Sequence, residues 1–269
     1  MPAVTVYIPT KNRVQLLQRA VTSVQAQTMS DWELIIVDDG STDGTFEYLT
    51  AVTKSDPRVH MLRNETSIGA CASRNRAIEL AAAPLVTGLD DDDEFLPERL
   101  EVMLANYNDE YAFVCTSLYW VTHNSRKVIL DGEQILTLRS ELGRNHTGNQ
   151  VLVRKERLLS IGGFDSDFPA LQDYDCFVRL IEAYGPAKRI GLPLMNIYVA
   201  HGHERISSGP KAVDGYDVFR KKHGYKMSLR QRFNHYLQVL ARKGFSRSLR
   251  YRIMLMILSI SYVRKKHEF

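Results

Sequence analysis

Residues 33–44 read ELIIVDDGSTDG. The apolar run Leu34 to Val37 stops at Asp38-Asp39-Gly40, and Phe46, Leu49 and Val52 then recur at helical spacing. A short apolar run closed by turn residues and followed by an amphipathic stretch is a buried strand feeding a helix. The same unit repeats on either side. Strands are predicted at Val4 to Ile8, Val59 to Arg63 and Leu85 to Leu89, with a helix through Val14, Leu17, Val21 and Val24 and another over Ala70 to Ala82. Pro97 is expected to open a further helix through Leu100, Met103 and Leu104. Alternation of this kind builds a parallel sheet covered by helices, so the fold class is α/β.

From Ala112 to Leu130 the pattern changes to strand-like alternation with Asn124-Ser125 as its turn, so the parallel sheet is expected to give way to a mixed region. A second α+β half follows. It holds a turn at Gly162-Gly163-Phe164-Asp165, a helix from Tyr174 to Tyr184 and strands between Arg189 and Val199. Beyond Asp214 the chain reads as basic and helical, with Phe233, Tyr236, Leu237 and Leu240 marking one apolar face.

The 269 residues are 44% hydrophobic and 25% charged, which excludes a disordered chain and a coiled rod. Cys71, Cys115 and Cys176 have no metal-ligand spacing, and an odd count suits a reducing compartment. The start, MPAVTVYIPTKNR, does not read as a secretory signal, which leads to the expectation of cytoplasmic residence. Charge is uneven: residues 220–269 carry 14 Lys and Arg against one Glu, a net of +13. The first 219 residues hold the other 21 basic residues and 30 acidic ones, a net of −9.

In an open parallel sheet ligands bind at the carboxyl ends of the strands, so the turns after each strand are where chemistry is sought. The first, Pro9-Thr10-Lys11-Asn12-Arg13, carries neither a GxGxxG fingerprint nor a GxxxxGK loop, which counts against a Rossmann dehydrogenase and a P-loop NTPase. After the second strand, Asp38 and Asp39 can accept hydrogen bonds from a base imide or ribose hydroxyls; the alternative is a turn with a helix cap by Ser41, Thr42 or Asp43. The third turn offers Asn64 and Gly69, then Arg74-Asn75 on the next helix, where Arg74 either neutralises phosphate or lies on a solvated face. The fourth ends in Asp90-Asp91-Asp92-Asp93-Glu94. Five consecutive acidic residues repel one another unless a cation sits among them, and hard oxygen ligands suit Mg²⁺ or Mn²⁺; a solvated acidic loop is the alternative.

Taken together, VYIPTKNR, IIVDDGSTDGT, Asn64 and Gly69 with Arg74-Asn75, and LDDDDEFLPERL resemble the family-2 glycosyltransferases of the GT-A fold, over roughly residues 4 to 104. A second match, Gly163-Phe164-Asp165 followed by Leu171-Gln172-Asp173-Tyr174-Asp175, is similar to the acceptor-side motif whose central Asp is that family's catalytic base. GACASRN, TGLDDDDE, GNQV and QDYD resemble bacterial transferases of exopolysaccharide assembly such as the colanic acid pathway. The resemblance implies a GT-A catalytic domain over 1–212, with a nucleotide-sugar half (1–110) and an acceptor half (111–212), and a basic helical extension over 213–269. It sets the donor nucleotide against Pro9, Thr10, Asp39, Arg74, Asp90 and Asp91. Asp92 becomes the metal ligand, Asp173 the base, and Asn149 and Gln172 acceptor contacts. Lys11 stands where many members carry an aromatic residue. His201 and His203 are candidate late metal ligands, with a solvated loop as the alternative.

The implied activity is an inverting, Mn²⁺- or Mg²⁺-dependent hexosyl transfer from a UDP-sugar to a saccharide acceptor, lipid-linked and part of bacterial surface polysaccharide synthesis. One base for the incoming hydroxyl and one cation for the leaving diphosphate suffice for a single in-line displacement with inversion. Asp173 has an alternative as a helix N-cap. Rival readings are a sugar-nucleotide pyrophosphorylase, whose Gly-rich phosphate loop is absent here, and a non-catalytic saccharide-binding domain. The apolar run Ile253 to Val263 has 11 positions, short of the roughly 20 needed to span a bilayer. With its basic flanks it is expected to bind an anionic membrane surface peripherally, on the inner face of the cytoplasmic membrane. The alternative is packing on the domain or on a second subunit of a homodimer. No nucleic-acid motif accompanies the basic residues, and no nucleic-acid partner is expected.

Overall fold

The computed structural model describes residues 1–200, 210–245 and Leu249. Its elements in chain order are β1 (Val4–Thr10), α1 (Val14–Gln25), β2 (Trp32–Asp38), α2 (Thr45–Ser55), β3 (Val59–Arg63), α3 (Ala70–Leu80), β4 (Leu85–Gly88), β5 (Glu94–Phe95), α4 (Arg99–Ala105) and β6 (Val114–Val121). They continue with β7 (Arg126–Ile129), β8 (Gln134–Leu136), α5 (Leu138–Glu141), β9 (Leu152–Arg154), α6 (Lys155–Ser160), α7 (Gln172–Tyr184), β10 (Ala187–Tyr198), α8 (Pro210–His223), a 3-10 turn at Gly224–Lys226 and α9 (Leu229–Arg242).

The expected α/β architecture is present. The described strands form one sheet in the order β3-β2-β1-β4-β9-β6-β10-β5, with β7 on β6 and β8 on β10. β3, β2, β1 and β4 run parallel, and pairing turns antiparallel at β4 with β9. The switch to mixed pairing thus follows the change of pattern seen after Ala112. All seven positions of β2 are buried, because helices cover both faces, which is why its sequence runs apolar instead of alternating. On one face Leu34 and Ile36 pack with Leu17, Val21 and Val24 of α1; on the other Ile35 and Val37 pack with Ala77 and Ile78 of α3. Each such side chain, fully buried, contributes roughly 1.5–3 kcal/mol.

Several boundaries differ from the sequence reading. Pro97 and Glu98 form a turn closed by the Arg99 N–H on the Leu96 carbonyl, so the helix begins at Arg99 and not at Pro97. The segment between Arg189 and Val199 is one strand, β10, bent by register shifts around Pro193 where the ring interrupts the ladder. On α9 the buried side chains are His235, Val239 and Leu240, whereas Tyr236 is 42% exposed. The stripe is rotated because His235 stacks edge-on to Tyr216 and lies 5.1 Å from Phe219, so a residue counted as polar takes the core position.

Among the described residues, 1–141, 145–167 and 172–200 form one compact unit, and 142–144, 168–171 and 210–245 a second. No helix of the described residues is long and apolar enough to cross a membrane.

Candidate active site

The ends of β1, β2 and β4, the second turn of α3 and the first turn of α7 bring the acidic and basic side chains into two adjoining networks. The first is centred on Arg74, which is 8% exposed. Its Nη2 donates to Asp90 Oδ1 at 2.7 Å and its Nη1 lies 3.8 Å from Asp173 Oδ1. Its guanidinium also stands 5.4 Å from the centre of the Phe164 ring. The solvated-face alternative for Arg74 does not hold, because α3 turns this position toward the sheet.

Asp173 lies within the first turn of α7, which starts sharply after Leu171 at φ 67°. It is a helical residue, not an N-cap, and the amino end of a helix favours its charge. Its Oδ1 is shielded from solvent and accepts no hydrogen bond. Burial raises its carboxyl to about 6, with Arg74 opposing the rise and Asp90 adding to it. A carboxylate with an open lone pair and a value near neutrality is suited to accept a proton. Gln172, half-buried, precedes it on the same turn.

The second network is at the end of β1. Thr10 Oγ1 donates to Asp91 Oδ2 at 2.8 Å, and Arg13 Nη1 to Asp91 Oδ1 at 3.1 Å. Burial pushes the Asp91 carboxyl up to about 6 against the pull of Arg13 and Thr10. Arg13 also stands 3.5 Å from Asp92 Oδ2. Asn149 spans the two networks' acidic run: its Nδ2 donates to Asp93 at 3.0 Å and to Asp90 at 3.3 Å, and its buried Oδ1 has no hydrogen-bond partner. Pro9 is half-buried beside Val37 in the β1–β2 ladder.

The five acidic residues are held by several different protein groups. Asp90 turns to Arg74, Asp91 to Thr10 and Arg13, Asp93 to Asn149 and the Tyr198 N–H, and Glu94 to Asn196 and the Tyr198 hydroxyl. The run leaves β4 as a turn and enters β5, so successive side chains point in different directions. Among the described residues no cluster of three His, Cys, Asp or Glu side chains could enclose a metal ion. His201 and His203 lie outside the described residues.

Asp38 and Asp39, adjacent in sequence, have separate fates. Asp38 is fully buried and accepts from the Ser41 N–H, shaping the turn. Asp39 accepts four hydrogen bonds: from Asn64 Nδ2 at 2.8 Å, Ser67 Oγ at 2.6 Å, Ile68 N at 2.8 Å and Gly69 N at 2.9 Å. Burial works against its charge, but these donors prevail and hold its carboxyl below the ordinary value. Its oxygens thus organise the loop 64–69. Gly40, at φ 74°, is required here, since a Cβ would come within 3.2 Å of the Ser67 nitrogen. Asp43 caps both neighbours: Oδ1 accepts from Thr45 N–H at the start of α2 and Oδ2 from Val14 N–H at the start of α1.

Three contributors were not assigned from sequence. Tyr7, 2% exposed, packs edge-on to Phe164, and its phenol is pushed up by burial and by nearby Cys176, Asp173 and Asp90 while Arg74 opposes. Arg13, in the turn after β1, pairs with Asp91 and stands beside Asp92. Asn75 grips Phe164 through both backbone groups, at 2.9 and 2.8 Å, fixing the Gly162–Asp165 turn against α3. The signal for Tyr7 was an aromatic hydroxyl within an otherwise aliphatic strand.

The family profile described as glycosyl transferase family 2 matches residues 5–164. The chain belongs to glycosyl transferase family 2. It is 38% identical over 230 residues to the colanic acid biosynthesis glycosyl transferase WcaA of Escherichia coli K12, covering 82% of this chain and 81% of that one. A second relative, the GalNAc(5)-diNAcBac-PP-undecaprenol beta-1,3-glucosyltransferase of Campylobacter jejuni, is 36% identical over 115 residues, which is 42% of this chain and 37% of that enzyme. The fold is similar to that of S. aureus TarS residues 1–349 in complex with UDP-GlcNAc, at a TM-score of 0.67 and 21% identity, covering 92% of this chain and 74% of that one. The family-2 profile covers Arg74, the acidic run and Asn149 and ends at Phe164, before α7 and Asp173.

Proposed function

We propose that this family-2 transferase moves a hexose from a UDP-sugar to a saccharide acceptor, with inversion, in the synthesis of a bacterial surface polysaccharide. The observation that carries the reading is the pair Arg74–Asp173: an open-lone-pair carboxylate 3.8 Å from the guanidinium that also holds Asp90. The TarS likeness, with UDP-GlcNAc bound there, supports a uridine nucleotide donor. The E. coli relative's role supports polysaccharide assembly, and the C. jejuni relative's supports an undecaprenol-linked acceptor.

In this mechanism the acceptor hydroxyl oxygen forms a bond to the anomeric carbon, the carbon–oxygen bond to the diphosphate breaks, and its electron pair leaves with the diphosphate. The hydroxyl proton passes to Asp173. Arg74 takes up part of the charge on the leaving group and Asp90 stands on the ribose side. Pro9, Thr10 and Asp91 line the nucleoside end, with Asp39 acting there as organiser of the 64–69 loop. Asn149 and Gln172 stand on the acceptor side. The described residues fit a divalent cation held by few protein ligands: Asp92 supplies a hard oxygen donor near Arg13, and such ions commonly take their remaining ligands from substrate phosphates and water. Mn²⁺ or Mg²⁺, when bound, supplies Lewis-acid stabilisation of the diphosphate. The cytoplasmic face of the membrane, reached through the basic carboxyl-terminal residues, is where a lipid-linked acceptor would be met.

A screen of UDP-, GDP- and dTDP-sugars with Mn²⁺ or Mg²⁺, reading nucleoside diphosphate release, tests this. Release from UDP-sugars alone supports it. Absence of release from every donor would instead mark a saccharide-binding module, and release of pyrophosphate with a sugar 1-phosphate and UTP a pyrophosphorylase.

A further inference from the structure

The second unit carries a surface that catalysis does not use. Helices α8 and α9 pack through Tyr216, Phe219, His235, Val239 and Leu240, and Arg242 covers the Tyr216 ring at 4.8 Å. The turn between them is tightly made. Met227 is buried, Arg232 donates to the Gly224 carbonyl, and Ser228 with Gln231 forms a capping box that starts α9. Yet this turn exposes Tyr225 at 77% and Leu229 at 83%, the most exposed large apolar side chains of the described residues after Met1.

Around them the charge is of one sign. Lys221, Lys222, Lys226, Arg230 and Arg232 flank the turn in sequence, Arg220 pairs with Asp217, and no Asp or Glu occurs from Val218 to His267. Lys221 and Arg230 are exposed, and the Lys226 ammonium stands 5.0 Å from the Tyr225 ring. Two apolar side chains on one short turn offer far less area than the roughly 1,200 Å² of a stable protein interface. They do suit a lipid headgroup boundary, where an amphipathic Tyr, an aliphatic side chain and flanking Lys and Arg are each favoured.

We propose that the α8–α9 turn is a membrane-docking tip that inserts Tyr225 and Leu229 into an anionic leaflet while Lys221, Lys226 and Arg230 engage its headgroups. This deepens the peripheral-membrane part of the proposed function by assigning the contact to the turn, a site separate from the residues beyond Ser246.

Full-length protein is floated with vesicles of phosphatidylethanolamine and phosphatidylglycerol, with phosphatidylcholine vesicles as the neutral control. Replacing both side chains (Tyr225→Ser with Leu229→Ser) should weaken partition into anionic vesicles by about 30-fold, as two partly inserted apolar groups would. Lys221→Glu with Arg230→Glu should abolish the preference for anionic lipid. Unchanged thermal unfolding midpoints separate these effects from misfolding, and Leu229→Trp should show a blue-shifted emission, quenched by brominated acyl chains, only with anionic vesicles. Wild-type partition by the double serine variant, with loss on deletion from Ser246 onward, would overturn the tip while leaving membrane attachment standing. Absence of vesicle binding by the wild-type chain would overturn both, as would an effect of these substitutions on RNA binding alone.

Discussion

Replacing Arg74 by Met should destabilise the protein in a pH-dependent way. Arg74 is the guanidinium 2.7 Å from Asp90 and 3.8 Å from Asp173, with side chains 10%, 24% and 24% exposed respectively. Removing one partner of a buried ion pair costs about 3–5 kcal/mol, because the charge left behind is uncompensated, and the partial exposure of both carboxylates favours the lower end, about 3 kcal/mol. The pH course follows from the direction of the shift. Asp173 already sits at about 6 with Arg74 beside it, above its unfolded value, and loss of that guanidinium raises it further. A carboxyl whose folded value is raised loses stability as pH rises through the window between its unfolded and folded values. The deficit of the Met variant relative to wild type should therefore be small near pH 4, grow through pH 6 and level off by about pH 8. Urea denaturation of both proteins at pH 4.5, 6 and 8 measures it. Adding Asp173→Asn to the Met variant should return part of the loss at pH 8 and little at pH 4.5. A deficit below about 1 kcal/mol at pH 8, or one equal at all three values, would show that Arg74 does not compensate these carboxylates.

Asp173→Asn should lose transfer by about 1,000-fold or more while keeping donor affinity, since it removes the base and leaves the guanidinium in place; isothermal titration with UDP and a transfer assay separate the two. For the unaltered protein, transfer rate should climb about tenfold per pH unit below 6 and flatten above it, because only the ionised Asp173 accepts the proton; a profile flat from pH 5 to 8 would remove Asp173 from that role. Asp92→Ala should fold normally and lose the stimulation of nucleotide release by Mn²⁺ or Mg²⁺; full metal-stimulated release by this variant would refute the assignment. Asp39→Ala removes the acceptor of the Ile68 and Gly69 N–H groups and of Ser67 Oγ and leaves Asn64 Nδ2 only Ser73 Oγ, so a loss of about 2–4 kcal/mol and protease cleavage within residues 64–69 are expected; wild-type stability would show that the loop is held by other contacts.

The amino-acid sequence by itself determined the class of the fold and the places to look for chemistry. Leu34 to Val37 is apolar on both faces because the strand is covered twice, and that run is visible without coordinates. The turns after β1, β2 and β4 could be named as ligand positions because strand ends and turn residues are local properties. Arg74 and Asp173 could be nominated one by one, but 99 residues separate them, and their approach to 3.8 Å depends on α3 and α7 packing against the same end of the sheet. The acidic run divides in the same way between local pattern and tertiary partners. Like charges in sequence suggest a cation, and only the tertiary structure shows which carboxylates share a protein partner, Asp90 and Asp93 at Asn149 and Asp91 and Asp92 at Arg13. Asp38 and Asp39 are equivalent by composition, and only the position of the 64–69 loop makes one a turn former and the other a loop anchor. The proton affinity of Asp173 belongs to the same class of property: it is set by burial and by the distance to Arg74, which depend on the whole tertiary structure and on no stretch of residues that can be read alone.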